Sequence, residues 1–171
     1  IMFIHVPASV VSLAGYYVMA TAGAVSLIWK IKLADMVMKS CAPIGAALTF
    51  IGLLTGSIWG KPTWGTWWVW DARLTSELIL LFLYAGVMAL RASIDDRDRA
   101  DRATAVLALV GVVNLPIIHY SVYWWNTLHQ GATITKLGKP SITGDMLWPL
   151  LVMLVGFTLY YGAVLMTRLR A

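Results

Sequence analysis

Three histidines, one short tryptophan run and a few charges beside it are the side chains here best suited to holding a ligand. His5 stands in Ile4-His5-Val6-Pro7, ahead of the first long apolar stretch. Pro7 disfavours helical geometry at Val6 and suits the first turn of a helix, which predicts an imidazole held just outside the helix mouth. His129 stands in Asn126-Thr127-Leu128-His129-Gln130-Gly131, directly after Trp124-Trp125, where Asn126 and Gly131 predict a turn. Between the two histidines, residues 59–71 hold five of the nine tryptophans, with Gly60, Pro62 and Gly65 shaping the backbone. Two imidazoles beside such an aromatic shelf could serve as axial ligands of a haem iron, with the macrocycle lying on or between indole rings. The plainer alternatives are interfacial histidines bonded to backbone or lipid headgroups, and a tryptophan anchor at the membrane surface.

Several neighbours have supporting roles in this reading. Asp71 and Arg73 fall where the Trp-rich stretch turns into the next apolar run. Asp is a favoured N-cap whose charge suits the positive helix end, and that structural role is expected first for Asp71. Arg73 and Glu77 are four apart, so a pair between them would let Glu77 enter the membrane edge. If haem is bound, its propionates need cations, for which Arg73, Lys61, Lys136 and Lys139 are the candidates, Arg73 being nearest the shelf. His119, in Asn114-Leu115-Pro116-Ile117-Ile118-His119-Tyr120, falls inside an apolar run near its end. It is expected to support the site, bonded to Asn114, Tyr120 or a carbonyl freed by Pro116, rather than to ligate.

The elements that must position these groups are transmembrane. The 171 residues are 60% hydrophobic and only 12% charged, with a mean hydropathy of +0.76; a soluble domain is roughly a quarter charged. Spans need roughly 20 mostly apolar residues. Five stretches qualify, at about 10–29, 42–59, 74–90, 103–123 and 146–167. Helices are expected, because hydrocarbon offers the backbone no outside partner. The fold class is therefore an all-α polytopic bundle, a single integral membrane domain over 1–171, with a Trp-rich loop at about 60–73 and a last loop at about 124–145. The chain opens on Ile1 in sequence that is already apolar, and a trimmed piece with a further span upstream is expected.

The connections assign the sides. Nine Lys/Arg fall in 30–39, 91–102 and 168–170, against four (Lys61, Arg73, Lys136, Lys139) on the opposite side. The positive-inside rule makes the first group cytoplasmic. Asp95, Asp96, Asp98 and Asp101 are read as a solvated face shared with the neighbouring arginines. Two spans separate His5 from the Trp loop, and two more separate that loop from His129. Parity puts all three at one membrane face, whichever way the chain is inserted. Eight tryptophans gather there and only Trp29 lies opposite, whereas an anchoring belt populates both interfaces.

The same inventory excludes several functions. Cys41 is the only cysteine, so there is no intrachain disulfide, CxxC pair or CxxCH haem attachment. No Walker loop is present, so ATP hydrolysis is not expected of this chain. Zinc is poorly served by an outer face with two histidines and no cysteine. The +5 charge sits in short loops as topology requires, which argues against nucleic acid.

Residues 64–78, Trp-Gly-Thr-Trp-Trp-Val-Trp-Asp-Ala-Arg-Leu-Thr-Ser-Glu-Leu, resemble the tryptophan-rich WWD signature of haem-handling membrane proteins that assemble c-type cytochromes. Ile4-His5-Val6-Pro7-Ala8, Gly56-Ser57-Ile58-Trp59-Gly60-Lys61-Pro62, residues 114–122 and Trp124-Trp125-Asn126-Thr127-Leu128-His129-Gln130-Gly131 narrow the resemblance to the CcmC family of cytochrome c maturation, along nearly the whole chain. CcmC proteins normally have six spans. The resemblance implies a carrier, not an enzyme, that holds haem b transiently and without covalent attachment at the periplasmic face of a bacterial inner membrane. It implies His5 and His129 as axial ligands, with Trp64, Trp67, Trp68, Trp70, Asp71, Arg73, Trp124 and Trp125 around the cofactor. It further implies delivery to the haem chaperone CcmE, within a complex containing the ABC transporter subunits CcmA and CcmB and the small membrane protein CcmD. Two alternatives are a cytochrome-b-like redox subunit, for which only His119 lies inside a span, and a docking subunit without haem of its own.

Overall fold

The computed structural model describes residues 1–129, 131 and 141–170. These form six helices: α1 (Met2–Trp29), α2 (Lys32–Trp64), α3 (Ala72–Ala92), α4 (Arg97–Gly111), α5 (Asn114–Trp124) and α6 (Gly144–Arg170). With α4 and α5 counted as one segment, Arg97–Trp124, five helical stretches are long and apolar enough to cross a membrane. The protein is a multi-pass, all-helical membrane protein.

The most intimate contact is between α1 and α2. Small residues allow it: a Cβ on Gly52 of α2 would come within 2.7 Å of Ser9 Oγ on α1, and one on Gly56 within 2.9 Å of His5, while Gly15, Gly23 and Gly45 admit Tyr161 of α6, Ala105 of α4 and Tyr84 of α3 in the same way. Within lipid, helices gain little hydrophobic drive from meeting each other, so close backbone approach through small residues carries the packing. α3 packs on α2, α4 and α5, while α6 leans on α1 and α2. Tyr16 and Tyr84 meet edge to face at the centre with centroids 5.0 Å apart. The Tyr84 hydroxyl donates to the Ser12 carbonyl at 2.7 Å.

The helices run further than hydropathy suggests. Lys32–Lys39 is the start of α2 rather than a loop, because Lys30 adopts a left-handed conformation (φ 53°) and its N–H caps Ser26 O at 2.8 Å. At the other end α2 continues through Pro62 to Trp64 and stops at Gly65, whose φ of 79° is left-handed and favours glycine. Only 65–71 is left as the connection to α3. The α4–α5 segment breaks where Pro116 predicts it. Pro116 cannot bond Val112 O, and Leu115 N–H takes that carbonyl at 3.0 Å instead. Asn114 Nδ2 ties the break to Ser76 O on α3 at 2.9 Å. At the basic end of the bundle, Arg91 pairs with Asp101, and Asp96 caps α4 by accepting from Arg99 N–H at 2.8 Å.

Candidate functional site: two imidazoles and a tryptophan turn at one end of the bundle

His5 lies inside α1, in its second turn, not ahead of the helix as Pro7 suggested. Helix α1 begins at Met2 and carries helix through Pro7 at the expense of one backbone hydrogen bond, with the Pro7 ring fully buried in the bundle. The imidazole is thereby pressed against α2. Nδ1–H donates to Gly52 O at 2.9 Å, with Thr55 Oγ1 at 3.4 Å beside it, and the ring meets Trp59 edge-on at 5.8 Å. Gly52 and Gly56 create this seat. A Cβ on Gly56 would come within 2.9 Å of His5 Cε1, and one on Gly52 within 2.7 Å of Ser9 Oγ.

His129 is held by a turn. Thr127 Oγ1 accepts from His129 N–H at 3.1 Å and donates to Asp71 Oδ2. The ring Nδ1–H is shared between Thr127 Oγ1 at 3.2 Å and Asp71 Oδ2 at 3.3 Å. Trp64, the last residue of α2, packs edge-on to the imidazole at 4.6 Å. Burial pushes the His129 pKa below its ordinary value. The Asp71 charge pulls the other way and the Arg73 charge adds to the lowering, and the net direction is down. The imidazole is neutral at neutral pH, the form that ligates metals.

Asp71 joins both arrangements. Its Oδ1 accepts from Leu74 N–H at 2.8 Å, which is the expected N-cap of α3, and its Oδ2 faces Thr127 and His129. Burial pushes its carboxyl up, but the Thr127 and Leu74 hydrogen bonds and the His129 charge outweigh that. The net direction is below the usual carboxylate range.

Arg73 does not pair with Glu77. Its Nη1 donates to Ile118 O on α5 at 2.7 Å, and no ion pair between the two residues is present. Side chains lean toward a helix N-terminus, so Arg73, in the first turn of α3, leans away from Glu77. Arg followed by Glu is also the weaker order for such a pair. Glu77 is buried, with Oε1 unpartnered among the described residues. The Arg73 charge acts on both His5 and His129, and the His129 charge reaches His5, so these groups share one end of the bundle.

The tryptophans divide into groups. Trp59 and Trp64 touch the imidazoles. Trp68 packs edge-on to Trp70 at 5.4 Å, and its Nε1–H is buried without a partner among the described residues. Trp67 and Trp70 project outward, Trp70 at 75% exposure. Trp124 stacks on Tyr120 at 5.2 Å and meets Trp125 edge-on, so neither packs on an imidazole. His119 is exposed on α5 against Tyr120, 4.8 Å between centroids. Asn114, one of its expected partners, bonds Ser76 instead. Lys61 donates to Gly65 O at 3.1 Å. Lys136 and Lys139 lie outside the described residues.

Gly52, Thr55, Gly56 and Thr127 are the contributors that motif reading missed, and Trp59 gains a specific role. Gly52-Leu53-Leu54-Thr55-Gly56 is a small-xxx-small pattern that marks close helix approach in membranes. Thr127, two residues before His129, has the spacing of a Ser/Thr turn.

A family model described as "Heme exporter protein C" (CcmC) matches residues 1–171. The chain belongs to this family. "Heme exporter protein C" of Haemophilus influenzae is 54% identical over 170 residues, covering 99% of this chain and 69% of that protein. The Escherichia coli K12 protein of that name is 55% identical, covering 99% and 68%. That of Paracoccus denitrificans is 40% identical over 171 residues, covering 99% and 71%. Membership of the CcmC family covers every element that carries the site, from His5 on α1 to the turn at His129.

Proposed function

We propose that this protein holds haem at the outer face of a bacterial inner membrane, between His5 and His129, and hands it to the periplasmic chaperone CcmE for cytochrome c maturation. The observation that carries this reading is the matched use of the two rings. Each imidazole commits Nδ1 to an oxygen of the protein, Gly52 O for His5 and Asp71 with Thr127 for His129, which leaves each Nε2 lone pair for a metal. Histidines that ligate metals almost always donate their other ring N–H in this way. Exposed Trp67 and Trp70 offer apolar faces to a macrocycle, and the unpartnered Trp68 Nε1–H and the Arg73 guanidinium suit its propionates.

Haem is the cargo here, and the chain's own residues bind and orient it. A bis-imidazole clamp without a thioether link lets the iron exchange one ligand for another, as transfer to a partner's side chain requires. CcmA and CcmB would supply ATP hydrolysis for the complex, joined by CcmD. The exposed position of His119 gives no support to a redox subunit with haem between spans.

The test is the absorbance spectrum of purified protein from haem-sufficient cells beside His5→Ala and His129→Ala. A six-coordinate low-spin spectrum that weakens in each variant is expected. Full haem retention in both single variants would overturn the assignment, and a wild-type protein without stoichiometric haem would favour a docking subunit.

A further inference from the structure

Asp71 is the residue where two jobs meet, and the two use different oxygens. Oδ1 caps α3 through Leu74 N–H at 2.8 Å. Oδ2 reaches across 56 positions of chain to Thr127 Oγ1 and across 58 to the His129 ring N–H at 3.3 Å. The side chain is only 5% exposed. A cap alone needs one oxygen and no partner from another part of the chain. Asp96 illustrates this at the opposite end of the bundle, where it caps α4 at 2.8 Å in an exposed setting.

We infer that Asp71, resting on the haem reading above, is a positioning residue for the metal ligand His129. Its carboxylate orients the imidazole, holds the proton on Nδ1 and raises the electron donation available at Nε2. The Asp of the WWD signature then acts behind the ligand, not on the macrocycle. A carboxylate accepting the far N–H of an imidazole strengthens that ring as a donor, and ferric iron gains more from this than ferrous iron does. His5 has no such partner, because its Nδ1–H goes to a neutral backbone carbonyl. Thr127 completes the clamp. It neutralises none of the carboxylate's charge, and it fixes the backbone of residue 129 through its own accepted N–H.

The experiment compares Asp71→Asn, Asp96→Asn and Thr127→Val in full-length, detergent-purified protein, reading ferric haem affinity, the midpoint potential and the low-spin EPR signal. Asn is as good an N-cap as Asp, so Asp71→Asn preserves α3 while removing the charge behind His129. The expected result is an about tenfold loss of ferric over ferrous affinity, which is a potential raised by about 59 mV for a one-electron couple. Asp96→Asn should leave the potential unchanged. Thr127→Val leaves the α3 cap intact and should weaken haem binding with an altered EPR signal, so the inference stays testable if Asp71→Asn folds poorly. An unchanged potential and affinity in Asp71→Asn, or in Thr127→Val where only that variant folds, would reduce Asp71 to a cap and overturn the inference. Wild-type protein with no bis-histidine spectrum would instead overturn the haem reading itself, so the two failures are distinguishable.

Discussion

The His5 seat is made by two long helices and a neutral backbone carbonyl, whereas the His129 seat is made by a turn and a carboxylate. At His5 the position comes from packing. Gly52 lets α1 approach α2 at Ser9, and Gly56 leaves the space that the ring fills beside Trp59. At His129 the position comes from hydrogen bonds, with Thr127 and Asp71 replacing what a helix would supply. The difference bears on the proposed haem clamp. A ligand on packed helices is accurately placed but electronically ordinary, while a ligand on a turn can be made the stronger donor by one buried anion. The two seats also touch the same helix, through Trp59 and Trp64 near the end of α2.

The largest effects are expected at the two proposed haem ligands. His129→Ala is expected to lower haem affinity by about 100-fold or more, above the range for losing an outer partner alone, as read by titration of apo-protein. His5→Ala should cost less, about 10- to 100-fold, because the carboxylate-backed ligand remains. A larger loss in His5→Ala than in His129→Ala would reverse the ranking of the seats.

Smaller effects are expected from substitutions behind these two histidines. Gly56→Ala should push the His5 ring from its seat, since the new Cβ meets Cε1 at 2.9 Å. An about tenfold weaker haem affinity is expected. Thermal stability in detergent should not fall in step, because Ala favours the helix interior by about 1 kcal/mol over Gly. Stability loss with unchanged affinity would mean that Gly56 serves packing only. The smallest effect is expected from Trp59→Phe, which keeps an aromatic edge on His5. A ring contact of this kind contributes about 0.5–1.5 kcal/mol, so affinity should change by no more than about threefold, and a loss as large as that of His5→Ala would make Trp59 a principal haem contact.

Much of this architecture could be read from composition and spacing. Apolar runs of span length leave the backbone no option but helix, and the parity of those runs puts His5, the tryptophan turn and His129 at one end without any knowledge of packing. Asp71 as N-cap and Pro116 as the site of a break also follow locally, one from a side chain that bonds the next turn's N–H, the other from an N–H that is absent. The helix ends were less legible. Pro7 suggests a helix start and hydropathy ends the second span at residue 59, yet α1 carries helix through Pro7, whose ring is fully buried, and α2 runs on through Pro62 until the left-handed Gly65 stops it.

Which partner each side chain takes was set by the packing of the helices. Arg73 had Glu77 within helical reach and chose Ile118 O across the bundle. Trp124 and Trp125 precede His129 in sequence but pack away from it, while Trp64, 65 positions earlier, lies against its ring. Asp71 was legible as a cap, and its second oxygen was not. Local rules cover groups on the same turn, and the contact between Asp71 and His129 joins two loops whose approach is set by how four helices pack. The residue types therefore determined by themselves that this chain spans a membrane and gathers imidazoles and indoles at one face. The fold alone decided that those imidazoles are held by unlike means.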